Sequence, residues 1–326
     1  MKRFLLVLAV LAVAVSALPA AAAPEMVLRL GETHVADYPT TKGDMEFARL
    51  VEERTGGRIK IEVYHSKQLG EEKAVIEQVQ FGAVDFTRVS ISPLAAFAPA
   101  FDALQMPYLY RDEEHMWKVL NGPIGEEFLN SLEPANFVGL AWYDSGARNF
   151  YNSKREIKSV ADLKGLKIRV QESKLMMGLV SALGAVPTPM PFGEVYSALQ
   201  TGVIEGAENN WPSYFSTSHY EVAKYFTLDG HTRVPEILIA SKITMDRLSK
   251  EDQEIIRKSA KDSMPFQIKL WKEFEKVSEE KVTAAGSIIT HLTPEAVAEF
   301  QKAMEPLYSE LKPELQAVVR KIQEVK

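Results

Sequence analysis

The chain has 326 residues, no cysteine and a formal net charge of −6, with 46% hydrophobic and 25% charged residues. This composition is ordinary for a globular protein, and it excludes a mainly disordered chain, a collagen-like chain and a polytopic membrane protein. The length predicts about two domains. The mild acidity gives no support for a nucleic-acid partner, because backbone phosphates require a basic surface.

The first 22 residues have the layout of a secretory signal peptide. Lys2 and Arg3 precede an apolar stretch at 4–15, which is too short to span a bilayer, and an A-x-A pattern follows at 20–22. We expect cleavage near residue 22 or 23, before Ala23, and export to the periplasm. A retained membrane anchor and secretion to the medium are the alternatives. Because the chain lacks cysteine, the exported protein has neither a disulfide nor a lipid anchor at the cleavage site.

After this segment, apolar residues alternate between the spacing of strands and the spacing of helices. The predicted elements are strands at 27–30, 58–64 and 84–89 and helices at 44–54 and 71–81. This β-α-β-α-β order predicts a mostly parallel sheet with helices on its faces.

The rest of the chain repeats the alternation and ends in helices. Further strands are predicted at 137–142, 148–151, 166–170, 203–207 and 236–240, and further helices at 174–183 and 192–201. Ser159 and Asp162 form an acidic variant of a capping box before another short helix. Apolar residues recur every three or four positions from 251 to 286. This predicts one very long helix, or two with a kink near Pro265, and short helices follow at 294–324.

The sequence carries no signature of a common enzyme class, including the dinucleotide-binding, phosphate-binding, zinc-protease and serine-hydrolase motifs. The six histidines never stand four residues apart, and the lack of cysteine excludes thiol catalysis. A Ser-His-Asp enzyme is compatible with the residue order. We therefore do not expect an enzyme, and we expect no cofactor and no metal site.

Two arginines stand at the ends of predicted strands in the middle of the chain, Arg148 in GARNFY and Arg169 in GLKIRV. Open α/β sheets place ligands at this edge, and a guanidinium group meets a carboxylate with two parallel hydrogen bonds. Two such groups in one cleft would select an anion. The alternative, which the pattern alone favours for Arg169, is that Arg169 and Lys167 share the solvent face of an edge strand.

Other polar and aromatic residues at the ends of elements are further candidates. Asn209 can both donate and accept hydrogen bonds, as hydroxyl groups require, and Trp211 could form part of an apolar wall. The alternative for this stretch is a turn with a packed aromatic residue. The remaining candidates are Glu32, His34, Glu71 and Glu72, for which a surface loop or a favourable charge in the first turn of a helix are the simpler interpretations.

Several long segments, in order, resemble the substrate-binding proteins of TRAP transporters (tripartite ATP-independent periplasmic, DctP type). They are HSKQLGEEKAVIEQVQFGAVDFT, SVADLKGLKIRV, LGAVPTPMPFGEVYSALQTGVIEGAENNWPS and LSKEDQEIIRKSAKDS. The resemblance implies an α/β clamshell of two domains, with mixed sheets flanked by helices and one long helix spanning both. The expected boundaries are 23–145 plus about 234–272 for domain I and 146–233 plus about 273–326 for domain II, with the ligand cleft between them.

The resemblance also implies roles for individual residues, and it overturns the simpler interpretations of Arg169 and Asn209. Arg169 would pair with a substrate carboxylate, and Arg148 would add a second contact. The other cleft residues that it implies are Asn209, Phe192, Glu71 or Glu72, and Glu208, which lies near the site and could orient an arginine. We extend the set to His34, Glu32 and Trp211.

The mixture of acidic, amide and aromatic candidates indicates the kind of ligand. Carboxylates would repel a second ligand carboxylate and would accept hydrogen bonds from hydroxyl groups, while Trp211 and Trp142 could cover an apolar face. We therefore expect a sugar acid, with a hexuronate such as glucuronate or galacturonate as the best candidate, and a C4-dicarboxylate as the alternative. The expected partner is an integral-membrane TRAP permease that receives the ligand from a monomeric protein. A periplasmic solute sensor would use the same cleft.

Overall fold

The computed structural model describes residues 23–326, so the predicted signal peptide at 1–22 lies outside the described residues. Within this part, the strands are β1 (Met26–Gly31), β2 (Ile59–Tyr64), β3 (Phe86–Ser90), β4 (Phe137–Tyr143), β5 (Ala147–Asn152), β6 (Lys167–Val170), β7 (Val186–Pro189), β8 (Gly206–Asn209), β9 (Tyr225–Arg233), β10 (Glu236–Ser241) and β11 (Ile288–His291).

Helices cover the strands on both sheets. They are α1 (Pro39–Arg54), α2 (Glu72–Gln80), α3 (Ile91–Leu94), α4 (Glu113–Leu120), α5 (Pro123–Asn130), α6 (Lys174–Ala182), α7 (Val195–Thr201), α8 (Trp211–Ser216), α9 (His219–Val222), α10 (Lys242–Arg247), α11 (Lys250–Ala284), α12 (Pro294–Met304), α13 (Pro306–Glu310) and α14 (Pro313–Glu324). Short 3₁₀ turns lie at Pro99–Leu104, Glu133–Ala135, Val160–Leu163 and Phe192–Glu194.

The strands form two mixed sheets, and this confirms the prediction of an α/β fold with mixed sheets flanked by helices. The first sheet has the order β2-β1-β3-β10-β4, in which β1 pairs in parallel with β2 and β3, while β10 runs antiparallel to β3 and β4. The second has the order β11-β9-β5-β8-β6-β7, in which β5 runs antiparallel to β8 and β9. We call the part built on the first sheet the first half, and the part built on the other sheet the second half.

Helix α1 begins five residues before the predicted start, at Pro39, and the reason bears on the site. Its first two turns bury polar side chains, including Thr40, Thr41 and Asp44, so they contain no apolar periodicity that could be read from the sequence. Pro39 at the first helical position favours this start, because its fixed φ angle suits a helix and the N–H that it lacks would be unpaired there. The start of α1 therefore faces a polar interior.

Helix α11 links the two halves. It continues as one helix of 35 residues through Pro265, which confirms the single long helix and not the two-helix alternative. Along its length it contacts α1 and β4 of the first half and α8 of the second half. The covalent crossings lie close to it, at residues 144–146 and 234–235, between the strands of the two sheets.

The C-terminal helices also divide between the halves. Helices α12 and α13 pack against α6, but α14 returns to the first half, where it packs on the 3₁₀ turn at Pro99–Leu104. The Nη1 group of Arg111 donates to the carbonyl oxygen of Gln323 at 3.1 Å, and a ring nitrogen of His115 lies 2.9 Å from that of Ile322. The proposed membership of 273–326 in domain II stays a prediction. In the part of the chain that the structure describes, no helix is both long and apolar enough to cross a bilayer.

Candidate functional site

A small cavity of about 30 Å³ lies between the two halves. Its walls come from the ends of β1, β3 and β10 and the start of α1 on one side, and from β5, β6, β8 and α8 on the other. Six of the residues predicted from the sequence line it: His34, Glu72, Arg148, Arg169, Phe192 and Asn209. The fold therefore brings distant segments of the predicted site to one place.

Arg169 reaches the cavity from β6 and is the least compensated cation there. Its Nε and Nη2 groups donate to the backbone carbonyl oxygen of Met190, at 3.0 and 2.8 Å. Burial lowers the pKa of Arg169, and within residues 23–326 the guanidinium forms no ion pair with a carboxylate. The Phe192 ring lies over it, with its centroid 5.9 Å from the guanidinium carbon. The side chain is held in place by a neutral acceptor, and its charge remains available to an anion in the cavity.

Arg148 has a different environment, although it lines the same cavity. Its Nε and Nη2 groups bind both carboxylate oxygens of Glu208, and Nη2 also donates to the Glu208 backbone carbonyl oxygen at 2.8 Å. Nη1 donates to Oδ1 of Asn209 at 3.1 Å. Both side chains of the Arg148–Glu208 pair are almost completely buried. Glu208 therefore orients and neutralises Arg148, as the sequence allowed, and does not line the cavity.

A third buried arginine, Arg88 of β3, organises the opposite wall. Its Nε group donates to Oε2 of Glu32 at 2.7 Å and its Nη2 group binds Oε1 of the same carboxylate. Nη1 donates to Oε2 of Glu236 at 2.6 Å and contacts Oε1 of Glu72 at 3.3 Å, while Nη2 also lies 2.7 Å from Nδ1 of His34. Three carboxylates thus surround one guanidinium, which leaves an excess of acceptors at this wall.

The protonation states at this wall follow from the crowding of charges. Burial raises the pKa of Glu32, but Arg88 and His34 lower it by more, so the pKa lies well below its ordinary value and the carboxylate stays ionised. Burial raises the pKa of Glu72 to about 7, even though Arg88 opposes the shift. Burial and the neighbouring Arg88 lower the pKa of His34 below its ordinary value, so the imidazole is neutral at pH 7. Because the donors of Arg88 are occupied, Glu72 and Glu236 each present an oxygen without an Arg88 contact.

Contacts across the cleft hold the two halves together around the cavity. The hydroxyl group of Tyr38 lies 2.8 Å from that of Ser213, and the ring of His34 lies 5.2 Å from that of Phe192 between centroids. Tyr38 also stacks on His34 with centroids 3.9 Å apart. These contacts place aromatic rings from the first half against second-half residues, so the cavity is covered from solvent at this side.

Three predicted residues lie near the cavity but do not line it. Glu71 lies at the mouth of the cleft, where its Oε2 accepts from the backbone N–H of Gly193 at 3.3 Å, so it joins the two halves. Glu32 lies behind the cavity wall and binds Arg88 and His34. Glu208 supports Arg148 from behind in the same way. Each of them acts on the cavity through another residue.

The predicted aromatic wall is not formed by the tryptophans that were expected. Trp211 stacks on Phe226 with ring centroids 3.9 Å apart and an interplanar angle of 11°, inside the core of the second half. Trp142 packs near Phe101 in the core of the first half. Aromatic side chains that do line the cavity are Tyr38, Phe192 and Trp271. The expected positions of Trp211 and Trp142 are thus corrected by the packing of their strands and helices.

Several lining residues were missed by the sequence analysis, and two of them left a signal. Arg88 is the one charged residue of the buried strand FTRVS, and Glu236 is the one charged residue of the strand EILIAS. A charged residue within a buried strand is rare unless it is paired, and this could have identified both. Tyr38, Asn210 and Ser213 left no such signal. Among residues 23–326, no group of three or more His, Cys, Asp or Glu side chains is placed to hold a metal ion.

Comparison with known proteins gives one consistent result. The family model for bacterial extracellular solute-binding protein, family 7 (DctP), matches residues 30–314. A solute-binding protein from Chromohalobacter salexigens is 38% identical over 294 residues, which are 89% of this chain and 87% of that protein.

Two solved structures are similar over nearly the whole described chain. One is a TRAP periplasmic solute-binding protein from Bradyrhizobium sp. BTAi1 in complex with α/β-D-galacturonate, which is 47% identical with a TM-score of 0.89 over 91% of this chain and 99% of that one. The other, from Roseobacter denitrificans with bound β-D-glucuronate, is 37% identical with a TM-score of 0.89 over 92% and 100%.

Proposed function

The chain belongs to the DctP family of TRAP solute-binding proteins, family 7 of the bacterial extracellular solute-binding proteins, and we propose that it captures a hexuronate in the cavity between its halves. The best candidates are galacturonate and glucuronate, which the related structures from Bradyrhizobium and Roseobacter contain. The ligand carboxylate would bind Arg169, and the sugar hydroxyls would bind the wall around Arg88.

The observation that carries this proposal is the chemical asymmetry of the cavity. The second-half wall offers Arg169, a buried cation whose one hydrogen-bond acceptor within residues 23–326 is the carbonyl oxygen of Met190. The first-half wall offers carboxylate oxygens of Glu72 and Glu236, because Arg88 has its donors engaged. A molecule with one carboxylate at one end and hydroxyl donors at the other is complementary to both walls.

The remaining cavity residues fit a sugar acid in this orientation. Asn209 uses its Oδ1 atom to hold Arg148 and the backbone N–H of Asn210, so its Nδ2 group can donate to a ligand oxygen. Phe192 covers Arg169 at the mouth of the cavity and offers an apolar surface to the ring carbons. His34, which is neutral, can serve as a further hydrogen-bond partner beside Phe192.

The same asymmetry argues against the alternative of a C4-dicarboxylate. Such a ligand would place its second carboxylate beside Glu236, where the nearby Arg88 is already paired with carboxylates among residues 23–326. Glu72, with its pKa raised to about 7, is partly protonated at neutral pH and adds part of a like charge. Like charges in a desolvated site cost several kcal/mol, roughly the free energy that separates millimolar from micromolar binding. A hexuronate avoids this cost because its distal groups are neutral donors.

We propose that the mature protein is monomeric in the periplasm, after removal of the signal peptide, and delivers the ligand to an integral-membrane TRAP permease. We also propose that it does not convert the ligand chemically. The membership of the chain in a solute-binding family supports both statements. Overnight incubation with galacturonate, followed by NMR of the sugar, should return the sugar unchanged, and any turnover would refute the second statement.

Titration calorimetry with the purified protein tests the proposed ligand. The panel contains galacturonate, glucuronate, an aldonate, succinate and malate. We expect a hexuronate to bind with a Kd near micromolar, about −8 kcal/mol, and the dicarboxylates to bind at least 100-fold more weakly. Binding of succinate or malate without binding of any uronate would refute the assignment. Capture of a permease from solubilised membranes by the ligand-bound protein would test the partner.

A further inference from the structure

Four buried side chains of alternating charge extend from the cavity wall into the second sheet. Arg148 at the wall pairs with Glu208, and Oε2 of Glu208 also lies 3.4 Å from Nε2 of His231. On its other side, Nδ1 of His231 lies 2.8 Å from Oδ2 of Asp229. We call these four residues the relay. Its two inner members, His231 and Asp229, do not line the cavity.

Sheet order explains why these side chains meet. Strands β9, β5 and β8 are neighbours, and the relay takes Asp229 and His231 from β9, Arg148 from β5 and Glu208 from β8. Since Asp229 and His231 stand two residues apart on a strand, their side chains point to the same face. The sequence DGH on β9 is therefore placed behind the arginine that lines the cavity.

Asp229 is also tied to the strand that carries Arg148. The register between β5 and β9 shifts between Arg148 and Phe150, and Oδ1 of Asp229 accepts from the backbone N–H of Phe150 at 3.0 Å. The ring of His231 stacks on that of Phe150 with centroids 4.5 Å apart. Asp229 thus holds the backbone of Phe150, two residues after Arg148, and His231 lies beside the carboxylate that pairs with Arg148.

The charges of the relay balance only when His231 is protonated. Burial lowers the pKa of His231, but Asp229 and Glu208 outweigh it and raise that pKa to about 9. Burial raises the pKa of Glu208, but Arg148 and His231 lower it to about 2. At neutral pH the relay therefore contains two anions, Asp229 and Glu208, that alternate with two cations, His231 and Arg148. Loss of the His231 proton would leave one buried anion uncompensated.

We propose that His231, held by Asp229, is a positioning residue that acts through Glu208 to fix the Arg148 guanidinium at the wall of the ligand cavity. The relay keeps Glu208 ionised and turned toward Arg148, so Nη1 of Arg148 stays with Asn209 at the cavity. The effect on affinity rests on the proposed hexuronate function. The geometry of Arg148 itself does not depend on which ligand binds.

The pH dependence follows from the groups around His231. The titratable and charged groups that face it are Asp229 on its own strand, Glu208 on β8 with Arg148 beyond it, and Tyr108, whose hydroxyl donates to the Asp229 carbonyl oxygen at 3.2 Å. An anionic ligand binds more weakly once the relay has lost a positive charge. The contribution of the relay to galacturonate affinity should therefore be constant from about pH 6 to 8 and fall above about pH 9. Glu72, whose pKa is about 7, titrates within the lower range in the wild type and in His231→Gln alike, so the comparison of the two isolates the relay.

The test compares His231→Gln with a matched control, His115→Gln. His115 is equally buried but lies against α14, away from the cavity. At neutral pH we expect His231→Gln to weaken galacturonate binding about tenfold and His115→Gln to change it less than twofold. The loss of affinity above about pH 9 should disappear in His231→Gln, and in Asp229→Asn it should move toward neutral pH.

Two measurements on the ligand-free protein separate failure of this inference from failure of the proposed ligand. Nitrogen NMR should show both ring nitrogens of His231 protonated at neutral pH. The Nε–H signal of Arg148, identified by its absence in Arg148→Lys, should persist in His115→Gln and shift or broaden in His231→Gln. A His231 ring that titrates near its ordinary pKa of about 6.5, or an Arg148 signal unchanged by His231→Gln, would overturn the inference whatever ligand binds.

Discussion

Replacing Arg169 by alanine tests the centre of the proposed site. Removing one partner of a buried, hydrogen-bonded charge pair costs about 2–5 kcal/mol, which corresponds to a Kd increase of roughly 30-fold to several-thousand-fold. The structure favours a large effect, because Arg169 is held in place before binding by Met190 and is the cation without an ion-pair partner at the cavity within residues 23–326. We therefore expect calorimetry to show galacturonate binding weakened at least 100-fold.

The same substitution should leave the fold as stable as before. Burial lowers the pKa of Arg169, so the charged guanidinium is unfavourable in the ligand-free protein, and its removal relieves that cost. Thermal unfolding should accordingly show an unchanged or raised Tm for Arg169→Ala. Arg169→Lys should also bind poorly, because an ammonium group cannot hold the Met190 carbonyl and a planar carboxylate together. Lys167→Ala, at the exposed start of the same strand, is the control and should bind like the wild type. Wild-type affinity in Arg169→Ala would refute the proposed orientation of the ligand.

Three further substitutions test the opposite wall, the closure of the cleft and the packing. Glu236→Gln should weaken galacturonate binding about tenfold in calorimetry and should strengthen binding of succinate, since one like charge is removed; unchanged selectivity would contradict the proposed role of this wall. Tyr38→Phe removes the 2.8 Å hydrogen bond to Ser213, which contributes about 1 kcal/mol to the free energy of closure. Small-angle scattering of this variant should show less compaction at saturating ligand than the wild type shows. Equal compaction would exclude a role of this contact in closure. Gly125→Ala should lower the Tm by several degrees, because an added Cβ would lie 1.9 Å from the backbone oxygen of Leu120; an unchanged Tm would contradict this packing.

Strands with an apolar pattern could be predicted, including β5 and β6, which carry Arg148 and Arg169, whereas a strand with a mainly polar interior could not. The predictions also located β2 and β4, and they located β10, whose four central residues are apolar although it buries Glu236 as well. Strand β9 was missed, because its sequence YFTLDGHTR buries Asp229, His231 and neighbouring threonines that would be expected in a loop. A strand whose buried side chains are polar shows no alternation of polar and apolar residues, so hydrophobic periodicity does not identify it.

The candidate site was predicted in part, and the limit has a physical reason. The resemblance to a family placed Arg148, Arg169 and Asn209 at a cavity, where the structure also has them. Residue type alone could not show that Glu32 and Glu208 bind neighbouring arginines, since a carboxylate facing a ligand and one facing a guanidinium look the same in sequence. That distinction depends on pairing across strands that lie far apart in the chain.

The unequal distribution of charge between the two walls has a thermodynamic consequence for closure of the cleft. If the halves met with nothing between them, a guanidinium on one side and surplus carboxylates on the other would be withdrawn from water without compensation. A bound sugar acid compensates the charges on both walls, so closure of the cleft becomes favourable only when the ligand is present. The closed conformation would then signal that a ligand is bound. A membrane partner that recognises only this conformation would seldom bind the ligand-free protein.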